Sequence, residues 1–254
     1  MSIFETLRTR ALEAVDAYQT ETLGMTLSCA YCVVRHAEHT HVGLALTPQG
    51  EGALTTLHSD ARSVLEHAQA YEPFGRAAAL SVMNALFAHK RSSTPMHYAP
   101  DMRVLLAQKI LALTDAHSRI VIIGNLRPVV AKLRAQGRHV EVFCRSANNP
   151  AEGVYNDIFE YEAVMNADVL LITGAALIGS TVDALVAMSP KASVRILAGF
   201  SAGVDPYWLR ESGITHVCSV DVKAPILQRL MRNDFEAVFE CESYFVAVQE
   251  TIAP

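Results

Sequence analysis

The sequence predicts an α/β protein in two parts: a smaller α+β domain over residues 1–100 and a Rossmann-like domain over residues 101–254. After Ser118, short apolar runs alternate with helical segments. The runs are continuously apolar, which is typical of strands buried on both faces of a sheet. Strands separated by helices pair in parallel through right-handed crossovers. We therefore expect a parallel sheet with helices on both faces.

The first hundred residues predict helices around a strand pair. The predicted elements are a helix over 3–18, strands over 25–35 and 42–46, and helices over 60–69 and 75–87. The last helix is apolar nearly all round, which indicates burial. Asn84 lies within it, and a buried amide needs hydrogen-bond partners. Asn84 therefore either braces a loop or faces a site.

The remaining residues predict a regular alternation of elements. Residues 91–95 form a linker, and Asp101 caps the next helix. The predicted strands cover 119–123, 139–144, 167–173, 194–199 and 215–219. The predicted helices cover 102–114, 128–136 and 181–188, with two more opening at Asp205-Pro206 and at Pro225.

Composition limits the function classes. Hydrophobic residues make up 51% of the chain and charged residues 19%, which is enough for packed cores. The net charge is −5 and there is no basic run, so we expect no nucleic-acid partner. No apolar run reaches the roughly 18 residues that span a bilayer. Five unevenly spaced cysteines do not form a disulfide framework, and we expect a cytoplasmic protein.

Ligands of parallel α/β sheets sit at the carboxyl ends of the strands, which directs attention to four loops. The first loop contains Gly124, Asn125 and Arg127, ahead of a helix N-terminus that favours an anion. Arg127 adds a two-pronged donor for carboxylate or phosphate. The loop lacks the further glycines of the dinucleotide fingerprint. An ordinary turn with a surface arginine is the alternative.

The second loop is rich in small and hydroxyl residues. It contains Thr173, Gly174, Gly179, Ser180 and Thr181. Its length exceeds the two to six residues of a usual connection of this kind. We expect it to form a wall of a pocket, although Ser180 or Thr181 could simply cap the following helix.

The last two loops carry Ser201 and Arg145. Phe200 precedes Ser201 and either stacks on a flat ligand, plugs the pocket or packs on the neighbouring domain. Arg145 stands where an acidic residue would bind the ribose of a nucleotide. This disfavours NAD and favours an anionic ligand.

Cys29, Cys32, His36 and His41 form a candidate metal site in the first domain. In a strand, residues three apart point to opposite faces, so the two cysteines would diverge. His36 and His41 could face each other across the hairpin. The alternative is two core cysteines and a polar hairpin tip.

The string from Ala167 to Gly174, with Thr181 and Asp183 following, resembles the central motif of the family called "putative heavy-metal chelation". The segments RIVIIG, EVFCRS and LAGFSAGVDP occur in the expected order around it. The resemblance implies an upstream domain similar to the enolase N-terminal domain and a site between the two domains. It also implies a link to metal metabolism, with a transition metal or metal chelate as the bound group.

Several positions depart from that motif. The family usually has Ser-Thr where Ala175 and Ala176 stand, Asn-Gly where Gly179 and Ser180 stand, and proline at Phe200. These departures remove polar groups from the expected pocket.

Three functions are open at this stage. The first is binding of a small anionic metabolite or metal chelate in the crevice between the domains. The second is a transferase-like enzyme that uses a nucleoside cofactor, which the fold permits only by analogy. The third is a homo-oligomeric scaffold without a ligand. Enzymatic activity is left undecided because no nucleophile with its base is evident.

Overall fold

A computed structural model describes residues 1–49, 59–68, 71–88, 96–145 and 149–251. The predicted linker over 91–95 and the predicted end of a helix at residue 69 lie outside the described residues. None of the described helices is long and apolar enough to span a bilayer. All five cysteines carry free thiols.

The first part of the chain is a small three-stranded antiparallel sheet covered by helices. Its strands pair in the order β1-β2-β3. Its elements are α1 (Ile3–Ala14), β1 (Gln19–Met25), β2 (Cys29–His36), β3 (His39–Leu46), α2 (Ala61–His67) and α3 (Pro73–Ala88). Ser2 caps α1 and Asp60 caps α2 through their side chains, which accept backbone N–H groups of the first turn.

Helix α3 is buried over most of its length, as its apolar sequence predicts. It begins after Glu72, whose carboxylate accepts the N–H groups of Phe74 and Gly75. Its surface lies directly on β3, because Gly43 has no side chain. A Cβ at Gly43 would overlap the Ser81 carbonyl oxygen and the Ala85 nitrogen. Glycine is therefore required for the helix to approach the strand.

We expect Gly43→Ala to lower the free energy of unfolding by about 2–3 kcal/mol, because the methyl group would separate helix from strand. Gly179→Ala is the matched control. There the added Cβ would lie 3.8 Å from Thr181 Cγ2, an ordinary contact. Urea denaturation measures both. Equal stabilities of the two variants would contradict the packing argument.

The second part is an eight-stranded sheet with strand order β4-β11-β10-β9-β8-β5-β6-β7. Its strands are β4 (His97–Ala99), β5 (Ile120–Ile123), β6 (Val140–Phe143), β7 (Val154–Tyr155), β8 (Val169–Thr173), β9 (Val194–Ala198), β10 (His216–Asp221) and β11 (Glu242–Ala247). The helices are α4 (Met102–Ala112), α5 (Arg127–Ala135), α6 (Glu160–Met165), α7 (Thr181–Ala187) and α8 (Ala224–Leu230). Strands β7, β6, β5, β8, β9 and β10 run parallel.

Both faces of the large sheet are buried, which explains its continuously apolar strands. In β5, Ile120 and Ile122 pack into the core with α4, α5 and α8. Val121 and Ile123 point to the opposite core, which holds α6 and α7. The predicted fold class, a mostly parallel α/β sheet flanked by helices and preceded by a smaller α+β unit, is confirmed.

Some elements have no counterpart among the predicted ones: β1, α6, and the three strands β4, β7 and β11. Strands β4 and β11 are antiparallel additions at one edge of the otherwise parallel sheet. The hairpin turn is tighter than expected, because His39 already pairs with His36 and Ala37 takes a positive φ of 51°. The predicted caps Asp101 and Asp205 are confirmed by their bonds to the Arg103 and Tyr207 N–H groups.

The boundary after residue 100 stays a prediction. Strand β4 precedes that boundary and pairs with β11 of the large sheet. The first part of the chain therefore supplies one edge strand to the second. The likeness to the enolase N-terminal domain also stays a prediction.

Candidate functional site

The candidate site is the edge formed by the carboxyl ends of β5, β8 and β9, where the loops after β8 and β9 contact α3 and β3. Gly124 ends β5 with a φ of +108°, a conformation that L side chains rarely adopt. Thr173 ends the neighbouring β8. A Cβ at Gly124 would overlap the Thr173 side chain, so the first two predicted loops meet directly.

Part of this edge is occupied by contacts between the two parts of the chain. The Leu46 N–H at the end of β3 donates to Ser201 Oγ at 2.8 Å. We call the contact of α1, α3 and β3 with the loops after β8 and β9 the junction. Ser201 is 3% exposed, so its hydroxyl is buried in this junction. Gly174 packs on the backbone of Ser201 and Ala202, and a Cβ there would overlap both residues. Ser201 thus joins the two parts of the chain, and Gly174 packs against it within the second part.

Arg76 of α3 makes the most extensive of these contacts. Its Nε donates to the Ile178 carbonyl at 2.6 Å. Its Nη2 donates to Ser180 Oγ at 2.6 Å and to the Leu177 carbonyl at 3.3 Å. Ser180 has a positive φ of 55° and gives α7 no side-chain cap. Its hydroxyl therefore binds Arg76 and not the helix, which differs from the predicted cap.

The junction continues at the start of α7. Asp183 Oδ1 accepts the Ile3 N–H at 2.7 Å, and Oδ2 is buried without a hydrogen-bond partner in the described part of the chain. Thr181 Oγ1 donates to the Ala176 carbonyl at 3.4 Å. Gly179 is exposed beside them. The motif residues Thr181 and Asp183 thus act as internal hydrogen-bonding groups.

Three predicted site residues keep polar groups available. Asn125 and Arg127 lie in the turn before α5, and neither side chain has a hydrogen bond or an ion pair within the described ranges. Thr173 is half-buried, and its hydroxyl caps nothing. Helix α5 begins at Arg127 with no side chain bonded to its first N–H groups. Pro128 has no N–H group, and the Val129 and Val130 N–H groups donate to the Leu126 carbonyl, so the feature that favours an anion here is the positive end of the α5 dipole.

Arg145 lies at the end of β6 and is 84% exposed. Its Nε is 2.9 Å from Asp157 Oδ2, so it is partly engaged by an internal carboxylate. Glu160 lies one turn further on and is 7% exposed, and its Oε2 is buried without a partner among the described residues. Burial, and then the charge of Asp157, raise the pKa of Glu160 to about 7, while Arg145 opposes the rise.

The raised pKa of Glu160 predicts a pH-dependent stability. The folded chain holds this proton more tightly than the unfolded one, so stability should fall as pH rises from about 4.5 to about 7. Glu160→Gln should flatten this decline and stabilise the chain above pH 7 by roughly 1–3 kcal/mol. Thermal or urea unfolding between pH 4.5 and 8 measures the effect. Exposed Glu162→Gln is the control, and parallel curves for Glu160→Gln and the native chain would refute the assignment.

Phe200 packs inside the protein. Its ring meets that of Phe235 edge-on, with centroids 5.4 Å apart. This contact lies within the second part of the chain, whereas the sequence left open stacking on a flat ligand, plugging the pocket or packing on the neighbouring domain.

Asn84 braces the small sheet. It is 1% exposed, and its Nδ2 donates to the Leu44 carbonyl at 2.6 Å. Its Oδ1 is buried and has no hydrogen-bond partner within the described ranges. Asn84 therefore serves the bracing role that the sequence allowed.

The candidate metal residues lie on the β2–β3 hairpin. Cys32 and Cys29 pack into different cores, so the predicted divergence of the two thiols is observed. His41 pairs with Val34, two residues from His36, which puts both imidazoles on one face. The His36 ring lies 5.0 Å from the Tyr18 ring. No cluster of three metal-binding side chains occurs within the described ranges.

Two important residues were not predicted from the sequence. Arg76 had one available signal, since it is a lone charge in an otherwise apolar helix. Glu160 had none, because its burial depends on a helix that the sequence pattern did not predict.

Burial lowers the pKa of the Arg76 guanidinium, whereas the carboxylates of Glu5 and Asp183 raise it.

The fold and the site define a class: a two-part α/β protein with available polar groups at the carboxyl edge of its large sheet. Residues 107–231 match the family described as "Putative heavy-metal chelation", DUF364. An uncharacterised protein of Methanocaldococcus jannaschii is 31% identical over 117 residues, which are 46% of this chain and 45% of that relative. The match thus spans less than half of that relative's length. Residues 107–231 are thus similar to the DUF364 family.

Two solved structures extend the likeness to almost the whole chain. A DUF364 protein of unknown function from Pyrococcus horikoshii has a TM-score of 0.82 at 19% identity, over 96% of this chain and 99% of its own. Another from Desulfitobacterium hafniense DCB-2 has a TM-score of 0.77 at 14% identity, over 96% and 97%. At these identities the likeness concerns the fold, and it includes both parts of the chain.

Proposed function

We propose that this chain binds a small anionic ligand, a metabolite or a metal chelate, in the crevice between the large sheet and the first part of the chain. One observation carries the proposal. Asn125, Arg127 and Thr173 have no internal partner among the described residues, whereas Ser180 and Ser201 are used by the junction. Polar groups at the carboxyl edge of a parallel sheet are typical of ligand sites.

The chemistry of these groups favours an anion. Arg127 presents a guanidinium that suits a carboxylate or phosphate, and it stands at the positive end of the α5 dipole. Thr173 supplies a hydroxyl from the adjacent strand. Arg145 adds a second positive charge, which an anion would share with Asp157.

A metal chelate fits this arrangement. The chelator supplies ligands to the metal, so the protein needs only groups that bind the chelator's carboxylates. The description of the family supports a link to heavy metals. A direct metal site at His36 and His41 has weaker support, because two imidazoles provide only half of a usual four-ligand set. A cytoplasmic location and self-association stay predictions.

The test uses citrate, inorganic phosphate and the Ni²⁺–citrate complex as probes in isothermal titration calorimetry. We expect Arg127→Ala to weaken binding about tenfold or more, because a charge-assisted hydrogen bond contributes roughly 1.5–3 kcal/mol. Thr173→Val should weaken it less, and Arg145→Ala should lie between them. Raising the salt concentration should weaken binding to the native chain.

Arg119→Ala is the matched control. Arg119 precedes the same strand β5 at the opposite edge of the sheet, is about half exposed and pairs with Glu141. Arg119→Ala changes the net charge as much as Arg127→Ala or Arg145→Ala does. Anion binding should therefore stay unchanged in Arg119→Ala if the anion contacts Arg127 and Arg145 directly. Unchanged affinity in both Arg127→Ala and Arg145→Ala would refute an anion site here. Native mass spectrometry with elemental analysis of the purified chain would show whether a ligand is metal-bearing.

A further inference from the structure

Arg76 is a buried charge with an unusual set of partners. It is 3% exposed and lies on α3, in the first part of the chain. Its Nη1 is 3.6 Å from Glu5 Oε1, and its Cζ is 3.6 Å from the centroid of the Phe4 ring. The guanidinium is thus held from one side by α1. Its other donors reach across the junction.

Those donors bind one loop of the large sheet. The β8–α7 loop, residues 174–180, contains a single turn of 3-10 helix over Gly174–Leu177. Arg76 binds the Leu177 and Ile178 carbonyls at the end of this turn and the hydroxyl of Ser180. A planar guanidinium can bind several acceptors in fixed directions, which a lysine ammonium cannot do in the same way. Arg76 therefore constrains both the position and the orientation of the loop.

The same loop begins at a proposed ligand group. Thr173 is the residue before the 3-10 turn, and Gly174 packs on the Ser201–Ala202 backbone. One end of the turn is thus fixed by packing and the other by Arg76. Ser180 holds a left-handed conformation that serine rarely adopts, and its bond to Arg76 stabilises this conformation.

We propose that Arg76 is a positioning residue that keeps the β8–α7 loop in the conformation in which Thr173 faces the anion site. Docking of α3 thereby completes a binding site on the large sheet. This inference rests on the proposed function for its ligand-binding part. Its conformational part stands on the contacts of Arg76 alone.

The test compares Arg76→Lys and Arg76→Met with the native chain by hydrogen exchange and by citrate titration. The reporter amides are Ile178, bonded to the Ala175 carbonyl, and Ser180, bonded to the Leu177 carbonyl. We expect both amides to exchange at least about tenfold faster in the variants, while amides of β5 and β8 keep their protection. Citrate affinity should fall about tenfold or more, also in Arg76→Lys, which keeps the charge but not the planar fork.

Arg195→Met is the matched control. Arg195 makes the same kind of fork, with Nε on Ser189 Oγ and Nη2 on the Ser189 carbonyl, but away from the crevice. It should change neither the reporter amides nor citrate binding. Ser180→Ala is a milder variant. It removes one acceptor of Arg76 and leaves the bonds of Arg76 to the Leu177 and Ile178 carbonyls in place. It should show the same local loosening if the Arg76 variants do not fold.

The outcomes separate the two proposals. Folded Arg76 or Ser180 variants whose reporter amides exchange at the native rate would overturn the positioning role. Faster exchange with unchanged citrate affinity would overturn the link between loop and site. If the native chain binds none of the probes, the proposed function fails, and faster exchange would still establish Arg76 as the residue that fixes the loop.

Discussion

The contact between α3 and the carboxyl edge of the large sheet is the interaction on which the rest of this structure depends. It requires that a helix lie directly on β3, which Gly43 permits, and that Arg76 reach across to the β8–α7 loop. The Leu46 N–H and Ser201 hydroxyl extend the contact. Each bond satisfies a backbone or side-chain group that would otherwise be buried without a partner, which costs about 1–3 kcal/mol.

This junction divides the polar groups of the carboxyl edge into two sets. Those on the β8–α7 loop and after β9 bind the first part of the chain, and they are the groups that the small-residue loops suggested as pocket walls. Those before α5 and at the end of β8 stay available. The β8–α7 loop, which is longer than a usual connection, thus has two roles. It forms the docking surface for α3, and it directly follows Thr173. In the proposed function, ligand binding and the docking of the first part of the chain are therefore coupled by chain continuity.

The sequence predicted the central strands well because they are buried on both faces, which leaves a continuous apolar run. It missed β4 and β7, which are short strands at the two edges of the sheet, and it also missed β11, which pairs with β4 and β10. Gly124, Arg127 and Thr173 were selected by the general rule that ligands lie at strand ends, and their role in binding stays a prediction. The roles of Ser180 and Ser201 could not be found, because their partners lie 104 and 155 residues away in the chain. Hydrophobic periodicity carries no information about such pairs.

The burial of Arg76 is the least expected feature on energetic grounds. Removing a charge from water costs several kcal/mol, and apolar residues of similar volume often stabilise a core equally well. An apolar residue would, however, leave the Leu177 and Ile178 carbonyls and the Ser180 hydroxyl without their donor. To satisfy these groups, the 3-10 turn would have to move toward water. Because Thr173 directly precedes this turn, its position would change as well. Stability alone does not require an arginine here, whereas the proposed positioning of the β8–α7 loop does.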